Sequence, residues 1–333
     1  NKGVINMNMK KVGLTALAAS LVSVSAHAGE MSVSGSASIN VEGYTGENLN
    51  AGSGFSMGNQ LTFTGSGELD NGMTVSLSFI LDQSDDDEAA DTTTLAGAPF
   101  DSHSVTVSSD ALGTLKFSGE GGASSASSID TSAAGDIWDT FDGARGSATA
   151  IAVSDSATGD NSIFYTLPEL MDGLSINASY KPQASSRVSG SGYGVAYTGI
   201  DGLTAKYATS DIVGSTSALS GDQTVWNLSY VYGPVTATAS NSEYDVETVA
   251  SDQDMSSYAI SYTVTDEISV TYGTEDIEKG GDATDAEYSA ISASYTAGGM
   301  TISAAMKEGD NVAHGSGSSE DFEYWTLGAS FAF

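Results

Sequence analysis

Phe322-Glu323-Tyr324-Trp325-Thr326-Leu327-Gly328-Ala329-Ser330-Phe331-Ala332-Phe333 is the stretch whose reading decides the fold. Trp325, Leu327, Ala329, Phe331 and Phe333 share one parity, and Tyr324, Thr326, Gly328, Ser330 and Ala332 share the other. Successive side chains of a strand point to opposite faces, so as a strand this stretch has one greasy face and one small or polar face. That division suits lipid on one side and a water-filled lumen on the other. Taken alone, the stretch also fits a strand of an ordinary sandwich.

Working back from it, the same alternation recurs in sixteen segments of strand length, which predicts an all-β, transmembrane, antiparallel barrel. Met31 to Gly43 carries Met31, Val33, Ala37, Ile39 and Val41 on one parity. After a Gly-rich loop, Leu61, Phe63 and Leu69 do the same, then Met73, Val75, Leu77, Phe79 and Leu81, then Val105 and Val107, then Leu115 and Phe117. The later strands are anchored by Ile163, Leu174, Tyr193, Leu203, Trp226, Val235, Tyr258, Ile268, Ile291 and Met300, with the quoted stretch closing the series. Short connections fall at residues 70–72, 109–113, 168–173, 199–202, 233–234, 265–267 and 297–299, and all lie on one side. The longer ones lie on the other, the short-turn, long-loop asymmetry of outer-membrane barrels. Outward-parity aromatics gather near both strand ends. Tyr197, Tyr230, Tyr232, Tyr262, Tyr295 and Phe333 lie toward the short turns, and Phe79, Tyr180, Tyr207, Trp226, Tyr258 and Tyr272 toward the long loops.

Composition narrows the function classes. The 333 residues include no Cys, four Pro and 39 Gly, so no disulfide framework or thiolate metal site is available. With 10 basic against 43 acidic residues, nucleic acid is not expected as a partner. Lys10-Lys11, an apolar run from Val12 to about Ala26, and Ala26-His27-Ala28 read as a secretory leader cleaved after Ala28. Residues 1–28 are therefore expected to be upstream sequence plus leader, and residues 29–333 the barrel.

A barrel of sixteen strands is too wide for side chains to fill and leaves an aqueous channel. The longest break, residues 119–159, is the segment long enough to fold inward as a constriction, and it carries Asp130, Asp136, Asp139, Asp142 and Arg145. Lys116, Lys181, Lys206 and Lys307 alternate with outward apolar neighbours and are the candidates for a basic lumen wall, the charge-lining logic of selective pores.

Two stretches carry a family resemblance. Asn161-Ser162-Ile163-Phe164-Tyr165 with Pro168, Gly173 and Tyr180 resembles the strand-turn-strand signature of Gram-negative general porins, and Ser108-Ser109-Asp110-Ala111-Leu112-Gly113-Thr114-Leu115 is similar to their turn ahead of the constriction loop. The resemblance covers residues 29–333. It implies a sixteen-stranded diffusion porin of the cell outer membrane, with short periplasmic turns and long extracellular loops. It also implies homotrimers embedded in outer-membrane lipid, a third loop folded into the lumen as an eyelet, and residues 82–102 latching a neighbouring subunit. Gly159-Asp160 stands where relatives often carry an Arg of the basic wall, which tilts the expected pore toward cations. The function expected is passive diffusion of small hydrophilic solutes and ions, with a substrate-selective porin as the alternative.

Two further readings complete the set. No cofactor is expected, although Asp85, Asp86, Asp87 and Glu88 offer hard oxygen ligands to calcium without the spacing of a known calcium loop. A barrel-borne hydrolase is the alternative from another class. His103 and His314, the histidines outside the leader, lack a Ser and Asp at recognisable spacing, so the chain is read as a channel and not an enzyme.

Overall fold

The computed structural model describes residues 30–45, 52–82, 102–129, 132–141, 161–183, 188–214, 220–247, 252–281, 284–314 and 321–333. The expected leader, the calcium candidates at residues 85–88, and Asp130, Asp142 and Arg145 lie outside the described residues. The strands are β1 (Glu30–Thr45), β2 (Gly52–Glu68), β3 (Thr74–Asp82), β4 (Ser102–Ser109), β5 (Gly113–Glu120), β6 (Ser162–Thr166), β7 (Leu174–Lys181) and β8 (Ser189–Ile200). They continue as β9 (Leu203–Val213), β10 (Gly221–Tyr232), β11 (Val235–Val246), β12 (Gln253–Thr263), β13 (Ile268–Lys279), β14 (Ala286–Ala297), β15 (Met300–Asp310) and β16 (Phe322–Ala332).

Each strand pairs with its sequence neighbours, and β1 pairs with β16, so the sheet closes into a barrel. The closing ladder runs antiparallel from Ser36 opposite Ala332 to Thr45 opposite Glu323. Beyond it, Gly35 and Phe333 exchange backbone hydrogen bonds of 2.8 and 3.0 Å. Closure is what lets this sheet sit in lipid, where an unpaired N–H or C=O costs several kcal/mol and an open edge has no water to satisfy it.

The two faces invert the pattern of a water-soluble domain. Outward Leu228, Ile260 and Leu327 are 44%, 53% and 52% exposed, while lumen-side Gln223, Ser257 and Glu275 are 0%, 0% and 2% exposed. Apolar side chains facing out over the whole circumference require an apolar surround. Tyr230, Tyr232, Tyr262 and Tyr295 are exposed at the short-turn end, and Tyr180, Tyr207, Trp226, Tyr258 and Tyr272 are exposed on the long-loop side. The short turns depend on tight backbone geometry: Gly173 has φ 75°, and a Cβ there would lie 2.5 Å from the amide nitrogen of Gly199.

One element differs from the sequence expectation. The Gly-rich stretch after Gly43, expected to be a loop as far as Leu61, is mostly strand, because β1 runs to Thr45 and β2 begins at Gly52. Phe55 and Met57 continue the outward row of β2, opposite Val41 and Ile39 of β1. Gly54, Ser56 and Gly58 occupy the lumen parity, where water replaces the side chains that would advertise a strand.

Replacing Leu327 with Arg is expected to destabilise the bilayer-inserted barrel by roughly 2–4 kcal/mol, the cost of a cation near the midplane of the lipid face. Thr326→Arg, on the lumen parity, should cost far less. Equilibrium unfolding of both variants from vesicles checks this, and equal losses would contradict the assignment of faces.

Candidate functional site in the barrel lumen

The site begins where β5 ends. Gly121, at φ 65°, turns the chain off the barrel rim, and a Cβ there would lie 2.6 Å from Cβ of Ser102. The described residues 124–129 and 132–141 form an arm whose polar contacts go, strand after strand, to lumen-parity side chains. The Ser125 N–H donates to Ser179 Oγ of β7 at 2.8 Å and the Ala126 N–H to Ser210 Oγ of β9 at 3.4 Å. The Ala133 N–H donates to Ser240 Oγ of β11 at 2.8 Å, and the Ala134 N–H to Ser257 Oγ of β12 at 2.9 Å. On β13, Glu275 accepts from the Ser132 hydroxyl and, at 2.9 Å, from the Trp138 N–H. Lys307 of β15 donates to Thr140 Oγ1 at 2.5 Å, and the Tyr44 hydroxyl of β1 donates to the Thr140 carbonyl at 2.5 Å.

This irregular segment satisfies only part of its backbone internally, as in Ser128 N–H to Ser124 O at 3.0 Å, and these hydroxyls and charges supply partners that a strand would have found in a ladder. Shape does the rest. Gly273 of β13 has no side chain where Ala134 lies: a Cβ there would be 2.6 Å from Ala134 Cβ. Gly309 of β15 likewise leaves room for Phe141, whose ring carbon is 3.2 Å from the position of an added Cβ.

Ile137 and Phe141 are buried against Met255, Ile277, Tyr288, Val312 and Phe322, with the Phe141 and Tyr288 rings 5.7 Å apart and stacked. Removing two side chains of this size from water stabilises the docked arm by about 1.5–3 kcal/mol each. A second contact holds the first part of the arm, with Ala126 and Ile129 packed on Ala208 and Val225.

Of the acids expected on this segment, Asp136 and Asp139 lie on the arm and are exposed. Asp136 has φ 50°, an uncommon conformation for a residue with a side chain, and its N–H donates to Ser132 Oγ at 2.9 Å. The four expected lysines all stand on the lumen parity but do not gather. Lys116, Lys181 and Lys206 are on β5, β7 and β9, whereas Lys307 of β15 lies against the arm and interacts with Glu275, Asp139 and Asp136. Lys307 Nζ also sits 5.9 Å from the centre of the Tyr324 ring, and the Tyr324 hydroxyl donates to Glu42 at 2.5 Å.

Glu275, Tyr44, the four serines and Gly273 were not among the residues read from sequence. Among the described residues, Asp276, Glu278 and Asp285 place carboxylate oxygens within 4.8 Å of one another toward the long-loop end, two of the three exposed, as carboxylates in water commonly are. His103 and Glu120 approach to 3.9 Å near the start of the arm, His103 exposed and Glu120 partly so.

The family of Gram-negative porins matches residues 13–333. The chain belongs to that family. No curated protein sequence matches this porin, but solved structures do. A loop-deleted variant of OmpT, an outer membrane protein of Vibrio cholerae, superposes with a TM-score of 0.64 at 14% identity, covering 92% of this chain and 100% of that one. A multiply substituted variant of the Rh. blastica porin gives 0.63 at 17% identity, with 91% and 100% covered. An engineered protein described for its asymmetric conductivity gives 0.64 at 17% identity, again with 91% and 100% covered. The likeness confirms the closed sixteen-strand barrel, and family membership makes this porin an outer-membrane diffusion channel.

Proposed function

We propose that this porin passes small hydrophilic solutes with a preference for cations, set where the arm narrows the lumen. The observation that carries this reading is the arrangement of Asp136 and Asp139. Both are exposed on an arm that is otherwise committed to the wall, while Lys307 beside them is half-buried and bonded to Thr140. A low-dielectric wall focuses the field of such charges into the channel, so a few carboxylates at a narrow point outweigh many on distant loops. The Debye length of about 8 Å at physiological salt screens the distant ones further. Passive diffusion needs no catalytic group.

Replacing Asp136 and Asp139 together with Asn is expected to lower the cation-to-anion permeability ratio substantially at moderate salt. Neutralising Asp276, Glu278 and Asp285 should matter mainly at low salt. Reversal potentials in a salt gradient measure both, and equal effects of the two sets at moderate salt would remove the arm from its proposed role.

We also propose a homotrimer that packs through the outward faces of β1–β5. Those faces carry Val33, Ile39, Phe55, Leu77 and Val105 but no Tyr or Trp, whereas outward Tyr or Trp recurs from Tyr165 on β6 through Trp325 on β16. Amphipathic rings mark strands that meet headgroups, and a greasy face without them suits contact with another protein surface. Leu77→Arg should convert an SDS-resistant trimer of the unheated protein to monomers while leaving the barrel folded. An unheated wild-type monomer would contradict the proposal.

A further inference from the structure

We propose that Glu275 is the positioning residue of the arm, fixing through Ser132 the direction in which Asp136 faces the channel. The inference rests on the reading of the arm as the constriction, and the test below separates the two. Glu275 stands mid-lumen on β13 and is 2% exposed. Both of its oxygens are taken, Oε1 by the Ser132 hydroxyl and Oε2 by the Trp138 N–H at 2.9 Å. One side chain therefore ties together both ends of the bend from Ser132 to Trp138. Ser132 Oγ in turn accepts from the Gly135 N–H at 3.1 Å and the Asp136 N–H at 2.9 Å.

The chain of contacts ends on the residue that most needs it. Asp136 holds φ 50°, and a non-glycine residue stays in that region only when its surroundings over-determine it. The other wall contacts given above, apart from that of Lys307, come from hydroxyls that each hold one group of the arm, whereas Glu275 holds two. Lys307 and Asp136 are the charged groups that act on Glu275 or are acted on by it, with Asp139 also within reach of Lys307. Losing Glu275 takes the acceptor from the Trp138 N–H and leaves the buried Ser132 hydroxyl with the longer contact to Ser257 Oγ at 3.4 Å, which favours release of the bend.

Three Trp residues occur in the chain, and Trp226 and Trp325 face outward, so Trp226→Phe with Trp325→Phe leaves Trp138 as the sole reporter of the arm. In the full chain reconstituted in lipid vesicles, Glu275→Ala should raise acrylamide quenching of Trp138 severalfold. In planar bilayers it should make single-channel current noisy and lower the potassium-to-chloride permeability ratio. Glu275→Gln keeps an acceptor for the Trp138 N–H and should restore most of the shielding.

The proposal is overturned if Trp138 is equally shielded in Glu275→Ala, or if Gln does no better than Ala. Raised quenching with an unchanged permeability ratio upholds Glu275 as the positioning residue and removes the constriction reading instead. Should Glu275→Ala fail to insert, Ser132→Ala cuts the same chain of bonds from the arm side. Unaltered quenching there overturns the proposal.

Discussion

The ladder between β1 and β16 is the contact on which the rest of the molecule depends. Without it the sheet has two open edges, and each unpaired amide in lipid costs more than any neighbouring side-chain contact returns. With it, all sixteen strands are satisfied by their neighbours and the side chains are free to specialise by parity. The outward row then answers only to lipid or to another protein surface. The inward row answers only to water and to whatever enters the lumen, which is why Gly, Ser and Thr suffice there.

That freedom explains how a wall of small residues can hold an irregular segment. A core built of large side chains would leave no room for the arm. Ser179, Ser210, Ser240 and Ser257 each offer an acceptor at short reach, and Gly273 and Gly309 leave gaps at the places where Ala134 and Phe141 sit. The apolar cluster of Ile137, Phe141, Met255, Ile277, Tyr288 and Phe322 turns the lumen parity greasy beneath the arm. Packing there anchors the arm, while the carboxylates of Asp136 and Asp139 stay exposed within reach of Lys307. The same strand thus contributes Glu275 and Ile277 to the inner seat and Tyr272 to the outer surface, with parity alone deciding which.

Much of this was legible in the sequence, and the exceptions have physical causes. Alternation of large apolar residues identified β16 and most other strands, because lipid demands bulk on every second position. It failed across residues 52–60, where the lumen positions are Gly54, Ser56 and Gly58 and the glycines imitate a loop. The length and acidity of the break after β5 singled out Asp136 and Asp139, since an unpaired segment of that size must be stabilised by something beyond itself. Glu275 was hidden. In Thr274-Glu275-Asp276-Ile277-Glu278 it looks like one more solvated acid, and only the three-dimensional path of the arm distinguishes it from its neighbours. The serines were hidden for the same reason, as lumen hydroxyls recur on nearly every strand and sequence does not say which of them a distant backbone will reach.

The central claim is that parity divides a lipid-facing or protein-facing row from a water-facing one in a closed barrel, and the chain's lack of cysteine makes that directly measurable. Single cysteines placed in turn at residues 60–66 of β2, a strand with no contact to the arm among its described hydrogen bonds, are reacted with a membrane-impermeant thiol reagent after insertion into vesicles. The account predicts that Gln60→Cys, Thr62→Cys, Thr64→Cys and Ser66→Cys are labelled rapidly and that Leu61→Cys, Phe63→Cys and Gly65→Cys are not. Uniform labelling along the strand, or the opposite alternation, would contradict it.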